Sequence, residues 1–249
     1  MESKTKPRWP SQRQRPASRR TPRVAIIGMI AAVIVVVSIG YTVLGHRSVA
    51  PSPAIGNFQR VADPAVTPGQ PVPVFFLSAL YCPFCGAERW ALVDALGRFG
   101  TWSNLNPSQS TAGVDGIAAV PTYDFVHAHY NSRYAAFTPR DVADAQGNPL
   151  EPLQPEERTL VNRYDPDGGI PFLMIDGAFT QLSSGYSPGL LAGKSFAQVQ
   201  GEVTSNTADG QAIHHEADVI TALICEADGG QPRNVCDAPS VRALMAALH

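Results

Sequence analysis

Two cysteines three positions apart, Cys82 and Cys85, are the residues best suited to chemistry, and Pro83 and Phe84 lie between them. A cysteine at a helix N-terminus meets the positive end of the helix dipole and free backbone N–H groups. Both stabilise the thiolate, which is the form that attacks disulfides. A second cysteine one turn later can attack the mixed disulfide formed at the first. The motif therefore predicts thiol–disulfide exchange, with Cys82 as the nucleophile and Cys85 as the resolving residue.

The residues around the motif supply the strand and the helix that such a site needs. Residues 74–77 form a short apolar run, which predicts a buried strand leading into the motif. Pro83 suits a first helical turn, because a missing N–H costs nothing there. Apolar residues at helical spacing then predict a helix over 83–99, and Gly100 can end it. The cysteine pair is thus expected where a strand passes into a helix.

Other chemistries fit the motif less well. A purely structural disulfide between Cys82 and Cys85 is one alternative. A zinc site would need a second closely spaced ligand pair, and a haem attachment motif would need His where Gly86 stands. His127 and His129 would point the same way on a strand, but no third ligand is identifiable. We therefore expect no metal. Phosphate-loop and nucleophilic-serine motifs are absent from the sequence, and no cofactor is expected.

A second cysteine pair, Cys225 and Cys236, brackets a segment rich in turn-forming residues, including Gly229, Gly230 and Pro232. These residues let the segment fold back, and closing such a loop is worth about 2–3 kcal/mol in the chain-entropy account. A structural disulfide is the expectation. A second redox pair that exchanges electrons with Cys82 and Cys85 is the alternative that the sequence leaves open.

The rest of the chain predicts an alternation of strands and helices. Its apolar periods and turn signals give strands at 122–126, 172–176 and 179–182, helices at 155–164, 195–204 and 211–227, and a proline-rich irregular segment at 139–155. This order predicts an α/β layer fold for a folded domain over residues 74–249.

The N-terminal region predicts a membrane anchor. Residues 1–23 contain eight of the 19 Lys and Arg residues and a single acid. The next 21 residues, which start at Val24 and end at Leu44, carry no charge. A helix of that length spans roughly 30 Å, the thickness of a bilayer core. The positive-inside rule then places residues 1–23 in the cytoplasm and exports the remainder of the chain.

Residues 45–73 are expected to form a proline-rich linker between this anchor and the domain. The predicted location is the plasma membrane, with a single transmembrane helix at 24–44 in contact with the lipid bilayer and the domain outside the cytoplasm. A cleaved signal peptide is the competing interpretation, although Pro51 after a small-residue site should hinder cleavage. Membrane topology explains the basic tail better than nucleic-acid binding, so no nucleic-acid partner is expected.

The strand, the Cys-Pro-Phe-Cys motif at 82–85 and the following helix resemble the active site of the thioredoxin superfamily. The form with proline after the first cysteine is similar to bacterial extracytoplasmic thiol oxidases (DsbA-like) and to glutaredoxins. Residues 169–172 (GIPF) fit the position of the superfamily's cis-proline loop. The resemblance implies a thioredoxin-like fold in which Pro171 faces Cys82 and the backbone before it, at Ile170, pairs with an extended substrate.

A group of membrane-anchored thioredoxin-like proteins known as a domain of unknown function is the best match that we can suggest. Its members share an N-terminal anchor, the Cys-Pro-x-Cys motif, a Pro-Thr-aromatic strand like residues 121–123 and a late cysteine pair. Two departures from the DsbA-like pattern are notable. Phe84 stands where potent oxidases often have His, so the Cys82 thiolate should lack a stabilising cation. Residues 127–155 replace the inserted helical domain and do not have a helical pattern.

We therefore expect a membrane-anchored extracytoplasmic thiol–disulfide oxidoreductase that acts on exported proteins with cysteines, as an oxidase or isomerase rather than a reductase. It would need a further redox partner, not identified by the sequence, to reset the cysteine pair. The alternative is a non-catalytic thioredoxin-like binding module at the membrane surface, in which the bond between Cys82 and Cys85 is buried and inert.

Overall fold

The computed structural model describes residues 52–67 and 69–249. The expected cytoplasmic tail (1–23) and transmembrane helix (24–44) lie outside the described residues. Within the described part, no helix combines the length and the apolar composition that a membrane crossing requires.

The strands form one central sheet and two small sheets. They are β1 (Ser52–Pro53), β2 (Gln59–Arg60), β3 (Val72–Ser78), β4 (Gly100–Ser103), β5 (Asn106–Gln109), β6 (Pro121–Asp124), β7 (His129–Ser132), β8 (Ala135–Asp141), β9 (Phe172–Ile175) and β10 (Phe179–Leu182). The helices are α1 (Pro83–Gly97), α2 (Pro155–Tyr164), α3 (Phe196–Thr204), α4 (Ala208–Asp228), α5 (Arg233–Cys236) and α6 (Pro239–Ala246).

The central sheet is mixed, with strand order β1-β2-β10-β9-β3-β8. Strand β3 is parallel to β8 and antiparallel to β9, and the register places Phe75 between Thr138 and Met174. Strands β9 and β10 form an antiparallel pair joined through Gly177, which has a φ of +64°. The small sheets pair β4 with β7 and β5 with β6. The chain is therefore an α/β protein, as the sequence predicts.

Strand β3 occupies a central position because most of its residues are apolar and are buried on both faces of the sheet. On one face, Phe76 packs in a core with residues of α1 and α4, such as Leu92 and Ile220. On the other face, Phe75 packs in a smaller core under α2, with Val161 as the fully buried contact from that helix. The end of β3 is thus fixed on both sides, and the cysteine motif follows it directly.

The parallel partner of β3 is not the strand predicted at 122–126. Strand β6 covers most of that segment, but it pairs with β5 in a small separate sheet. The parallel partner is β8, which runs into the proline-rich segment 139–155 that was expected to be irregular. Strand β8 is an edge strand, where a proline such as Pro139 is tolerated because half of the backbone N–H groups face away from the sheet.

The expected linker over 45–73 is wrong for residues 52–61. These residues form β1 and β2 and extend the edge of the central sheet beside β10. Phe58 is fully buried and Ile55 is almost so, because both pack into the main core. The folded body therefore begins at least 20 residues before the expected boundary at residue 74, and Pro53 lies in the short edge strand β1.

Candidate active site

Cys82 is the N-cap residue of α1, at the point where the chain leaves β3 and enters the helix. Its Sγ accepts a hydrogen bond from the Cys85 backbone N–H at 3.1 Å, and Pro83 occupies the first helical turn. Free N–H groups at a helix start are otherwise unpaired, so a sulfur here satisfies one of them. Only 3% of Cys82 is exposed.

The two thiols of the motif are free and differ in acidity. A hydrogen bond from the Cys85 side chain lowers the pKa of Cys82, and the Cys85 backbone N–H and the charge of Arg89 add to this effect against the opposing effect of burial. Burial raises the pKa of Cys85 well above its usual range, and the neighbouring Cys82 adds to that rise. The pair can therefore hold a thiolate at Cys82 and a protonated thiol at Cys85.

A buried ion pair lies behind the cysteines. Arg89 on α1 is fully buried, and its Nη2 donates hydrogen bonds to Asp141 at the end of β8 and to Ser78 at the end of β3. The Ser78 hydroxyl also donates to Asp141 at 2.6 Å. The positive charge of Arg89 lowers the pKa of both cysteines. The charge that acts on the two cysteines therefore lies on the interior side of the motif.

Sequence reasoning missed Arg89, although its spacing carried a signal. It follows Cys85 by four positions on the same helix, and residues four apart share a helix face. An arginine on the buried face of α1 needs a carboxylate partner. Asp141 could not be recognised as that partner, because β8 was not predicted.

The predicted substrate-binding residues lie beside Cys82. The peptide bond between Ile170 and Pro171 is cis, and the Ile170 carbonyl accepts a hydrogen bond from the Cys82 Sγ at 3.8 Å. The Pro171 carbonyl accepts a hydrogen bond from the Ser183 N–H at 3.0 Å, which ties the loop before β9 to the end of β10. The structure therefore brings together the four predicted site residues Cys82, Cys85, Ile170 and Pro171.

Cys225 and Cys236 form a disulfide between α4 and α5, with their Cα atoms 5.7 Å apart. Both residues are buried in the main core. Each has the other as its covalent partner, while both cysteines of the motif are free. Among the described residues, no group of three or more His, Cys, Asp or Glu side chains is arranged to hold a metal ion.

The fold and the site define an α/β protein with a mixed sheet and a Cys-Pro-Phe-Cys motif at the start of a helix. A family model described as "Domain of unknown function (DUF929)" matches residues 57–226, and the chain belongs to this family. The match covers the motif, the Ile170–Pro171 loop and strand β2, and it ends before Cys236. No curated protein matches the chain, and no solved structure matches it.

Proposed function

We propose that this protein is a membrane-anchored extracytoplasmic thiol–disulfide oxidoreductase that acts on cysteines of exported client proteins. The observation that carries the proposal is the unequal cysteine pair. Cys82 caps α1 and has a lowered pKa, whereas Cys85 is buried with a raised pKa. Low-pKa thiols at helix N-termini are the reactive ones, and thiols in apolar surroundings are inert until a partner reaches them.

The order of elements supports a thioredoxin-like fold. A β3-α1-β8 unit with parallel strands is followed by the β9-β10 hairpin and the long helix α4, and the four strands adjoin in the order β10-β9-β3-β8. The loop at Ile170 and Pro171 approaches Cys82 from the start of β9. This arrangement is the one that the resemblance of the motif to the thioredoxin superfamily implies.

The proposed oxidising reaction uses the two cysteines in turn. In the oxidised protein, a client thiolate attacks the Cys82 sulfur, the bond between Cys82 and Cys85 breaks, and Cys85 leaves and takes up a proton. A second client thiolate then attacks the client sulfur of the mixed disulfide and expels the Cys82 thiolate. The client loses two electrons, and the cysteine pair gains them. A redox partner must remove these electrons before the next cycle.

The direction of this reaction follows from the acidity of Cys82. A thiol of lower pKa is a better leaving group, and stabilising the reduced form makes a dithiol pair more oxidising. Arg89 contributes to that stabilisation. We therefore favour oxidation or isomerisation of clients over reduction, in keeping with a compartment outside the plasma membrane, to which residues 24–44 would anchor the domain.

A non-catalytic binding module is the second candidate, and burial of the cysteines favours it. Cys82 is 3% exposed and Cys85 is fully buried, so a client sulfur must displace neighbouring groups to reach either one. In this case the scaffold would hold a partner at the membrane surface without exchange.

Alkylation and trapping separate the two candidates. After mild reduction, iodoacetamide near neutral pH should label Cys82 rapidly and leave Cys85 unlabelled. When offered a peptide that contains a disulfide, a reduced Cys85→Ser variant should accumulate a mixed disulfide between Cys82 and one peptide sulfur, with the other peptide sulfur leaving as a thiol, because the resolving thiol is gone, and a Cys82→Ser variant should form none. Slow labelling of Cys82 together with no trapped peptide would support the binding module instead.

A further inference from the structure

Two buried glutamates, one on α1 and one on α4, lie against the same loop backbone beside the candidate site. Glu88 on α1 is fully buried, and Glu216 on α4 is 2% exposed. Gly185, in the loop after β10, lies against Glu216 so closely that a Cβ atom there would be 1.8 Å from the Glu216 Cδ. The Glu88 Oε2 accepts the Gly185 backbone N–H at 2.9 Å. The loop backbone is therefore packed between the two carboxyl groups.

The contacts of this carboxyl pair are incomplete for two charged groups. Glu88 Oε1 and Glu216 Oε1 have no hydrogen-bond partner of good geometry, and the Gln181 amide on β10 lies close enough to both carboxyl groups to oppose the rise in their pKa. Burial raises the pKa of Tyr186 in the loop, and the charges of Glu88 and Glu216 add to that rise, while Arg60 is a charged residue on β2, the strand that pairs with β10. Tyr186 donates to the Ala87 carbonyl, and Arg60 lies over the Phe179 ring and pairs with Asp63.

Burial dominates the acidity of both carboxyl groups. Desolvation raises the pKa of Glu88 well above its usual range, and the charge of Glu216 adds to that rise. Desolvation also raises the pKa of Glu216 to about 7. Two carboxylates in one desolvated site cannot both ionise without strong repulsion, so the stable arrangement has at least one of them protonated.

A path of hydrogen bonds and short backbone segments joins Glu88 to Cys82. We refer to residues 183–187 as the clamp loop. Glu88 and Ala87 hold this loop through Gly185 and Tyr186. The Ser183 N–H at the start of the loop donates to the Pro171 carbonyl at 3.0 Å. The preceding Ile170 carbonyl is in contact with the Cys82 sulfur. The position of the Pro171 loop therefore depends on the fit of the clamp loop between α1 and α4.

We propose that Glu88 and Glu216 act together as positioning residues: while at least one of them is protonated, the clamp loop, and with it the Pro171 loop, stays in place for client binding at Cys82. This inference rests on the proposed function and adds a regulation to it. When both carboxyl groups are ionised at higher pH, two negative charges meet beside Gly185 and push α1, α4 and the clamp loop apart. Client exchange then slows, while Cys82 itself remains ionised and reactive.

The test compares two reactions of the same thiol in the full-length chain, purified in detergent. One is reduction of a fluorophore-labelled peptide disulfide by the reduced protein, and the other is alkylation of Cys82 by iodoacetamide. Both rates are measured between about pH 6 and about pH 9, where the thiolate and the carboxyl pair would titrate. The ratio of exchange to alkylation removes the effect of thiolate formation and reports on client positioning alone.

In the wild type this ratio should fall by about tenfold as pH rises, less than the roughly hundredfold cost that a misplacement of about 1 Å can have. Glu216→Gln, which cannot ionise, should make the ratio independent of pH. Glu156→Gln removes an exposed carboxylate on α2 and should leave the fall unchanged. Glu88→Gln repeats the test from the other partner if Glu216→Gln does not fold.

Thermal unfolding gives a second readout. A carboxyl group whose pKa is raised in the folded state supports stability fully at low pH, and that support is lost as pH rises through the folded pKa. The melting temperature of the wild type should therefore fall as pH rises from about 4.5, the ordinary pKa of Glu, to about 7, and that of Glu216→Gln should change less. Exchange that is present but has the same pH profile in wild type and Glu216→Gln would overturn this inference alone. Absence of exchange at every pH would overturn the proposed function as well.

Discussion

At the scale of single residues, the positive charge near Cys82 comes from a buried arginine on α1 and not from a residue between the cysteines. Phe84 stands between the cysteines, and its presence led to the expectation that the Cys82 thiolate would lack a cation. Arg89, about one turn after Cys85 on α1, supplies that cation from the protein interior, where Asp141 and Ser78 bind its guanidinium. A buried guanidinium is desolvated, so its effect on a nearby thiolate is screened less than that of an exposed histidine would be.

Removing this charge should make Cys82 less acidic. Loss of Arg89 alone would leave Asp141 as an unpaired buried charge, which typically costs about 3–5 kcal/mol. The double variant Arg89→Met with Asp141→Asn avoids that cost and should raise the pKa of Cys82. The rate of Cys82 alkylation as a function of pH measures the change.

Two further variants make this test specific. Arg89→Lys keeps the charge and should retain most of the lowered pKa. Arg98→Met removes an arginine near the end of the same helix, where the guanidinium pairs with Asp94 and Asp218, and should leave the alkylation profile unchanged. An equal shift in both arginine-to-methionine variants would mean that Arg89 has no particular effect on the site.

Contacts that are local in the sequence were predictable, and contacts between distant segments were not. Cys82, Pro83 and Cys85 are adjacent to the strand and helix that position them, so their spacing was enough. Pro171 was found through its resemblance to a known loop. Arg89 and Asp141 are 52 positions apart in the sequence, and Glu88 and Glu216 are further apart still. Polar residues of this kind are ordinarily exposed, so nothing in their own segments distinguishes them.

At the scale of secondary-structure elements, the disulfide between Cys225 and Cys236 connects the end of α4 to α5. Helix α5 has four residues and cannot be stable alone. The disulfide and the packing of α6 against α4 keep the C-terminal segment on the core, where Val241 of α6 is fully buried. Cys225 and Cys236 are paired, as the sequence predicts; the structural role of this bond stays a prediction, and a redox relay is the competing one.

Replacing Cys225 and Cys236 together with serine should lower the free energy of unfolding by about 2–3 kcal/mol, the value for a loop of this length in the chain-entropy account. The alkylation rate of Cys82 should stay the same. Chemical unfolding measures the first effect, and mass analysis after alkylation in a graded thiol buffer follows each pair. The buried C-terminal pair should open last. Opening of that pair first, or electron exchange between the two pairs, would support the relay.

At the scale of the whole molecule, the segment before β3 belongs to the folded body. Strands β1 and β2 complete the sheet on the β10 side, and Val61 donates its backbone N–H to the Ala178 carbonyl at 2.7 Å. Phe58 fills a fully buried site in the main core. The segment also passes close to the carboxyl pair, because Gly56 lies against Val219 and Glu216. Any anchor formed by residues 24–44 would thus be joined to the domain by only a few residues.

Chains of three lengths test the anchor and the domain boundary together. The full-length chain should fractionate with membranes, and the chain that begins at residue 50 should be released from them, fold and keep the Cys82 alkylation rate. The chain that begins at residue 74 should fail to fold, because losing a buried phenylalanine side chain alone typically costs about 3–5 kcal/mol. Membrane fractionation, circular dichroism and Cys82 labelling give the three readouts.

If expression of the full-length chain yields a mature product that is free of membranes and begins near residue 51, residues 24–44 belong to a cleaved signal peptide and not to an anchor. A folded chain from residue 74 would restore the proline-rich linker that the buried Phe58 argues against.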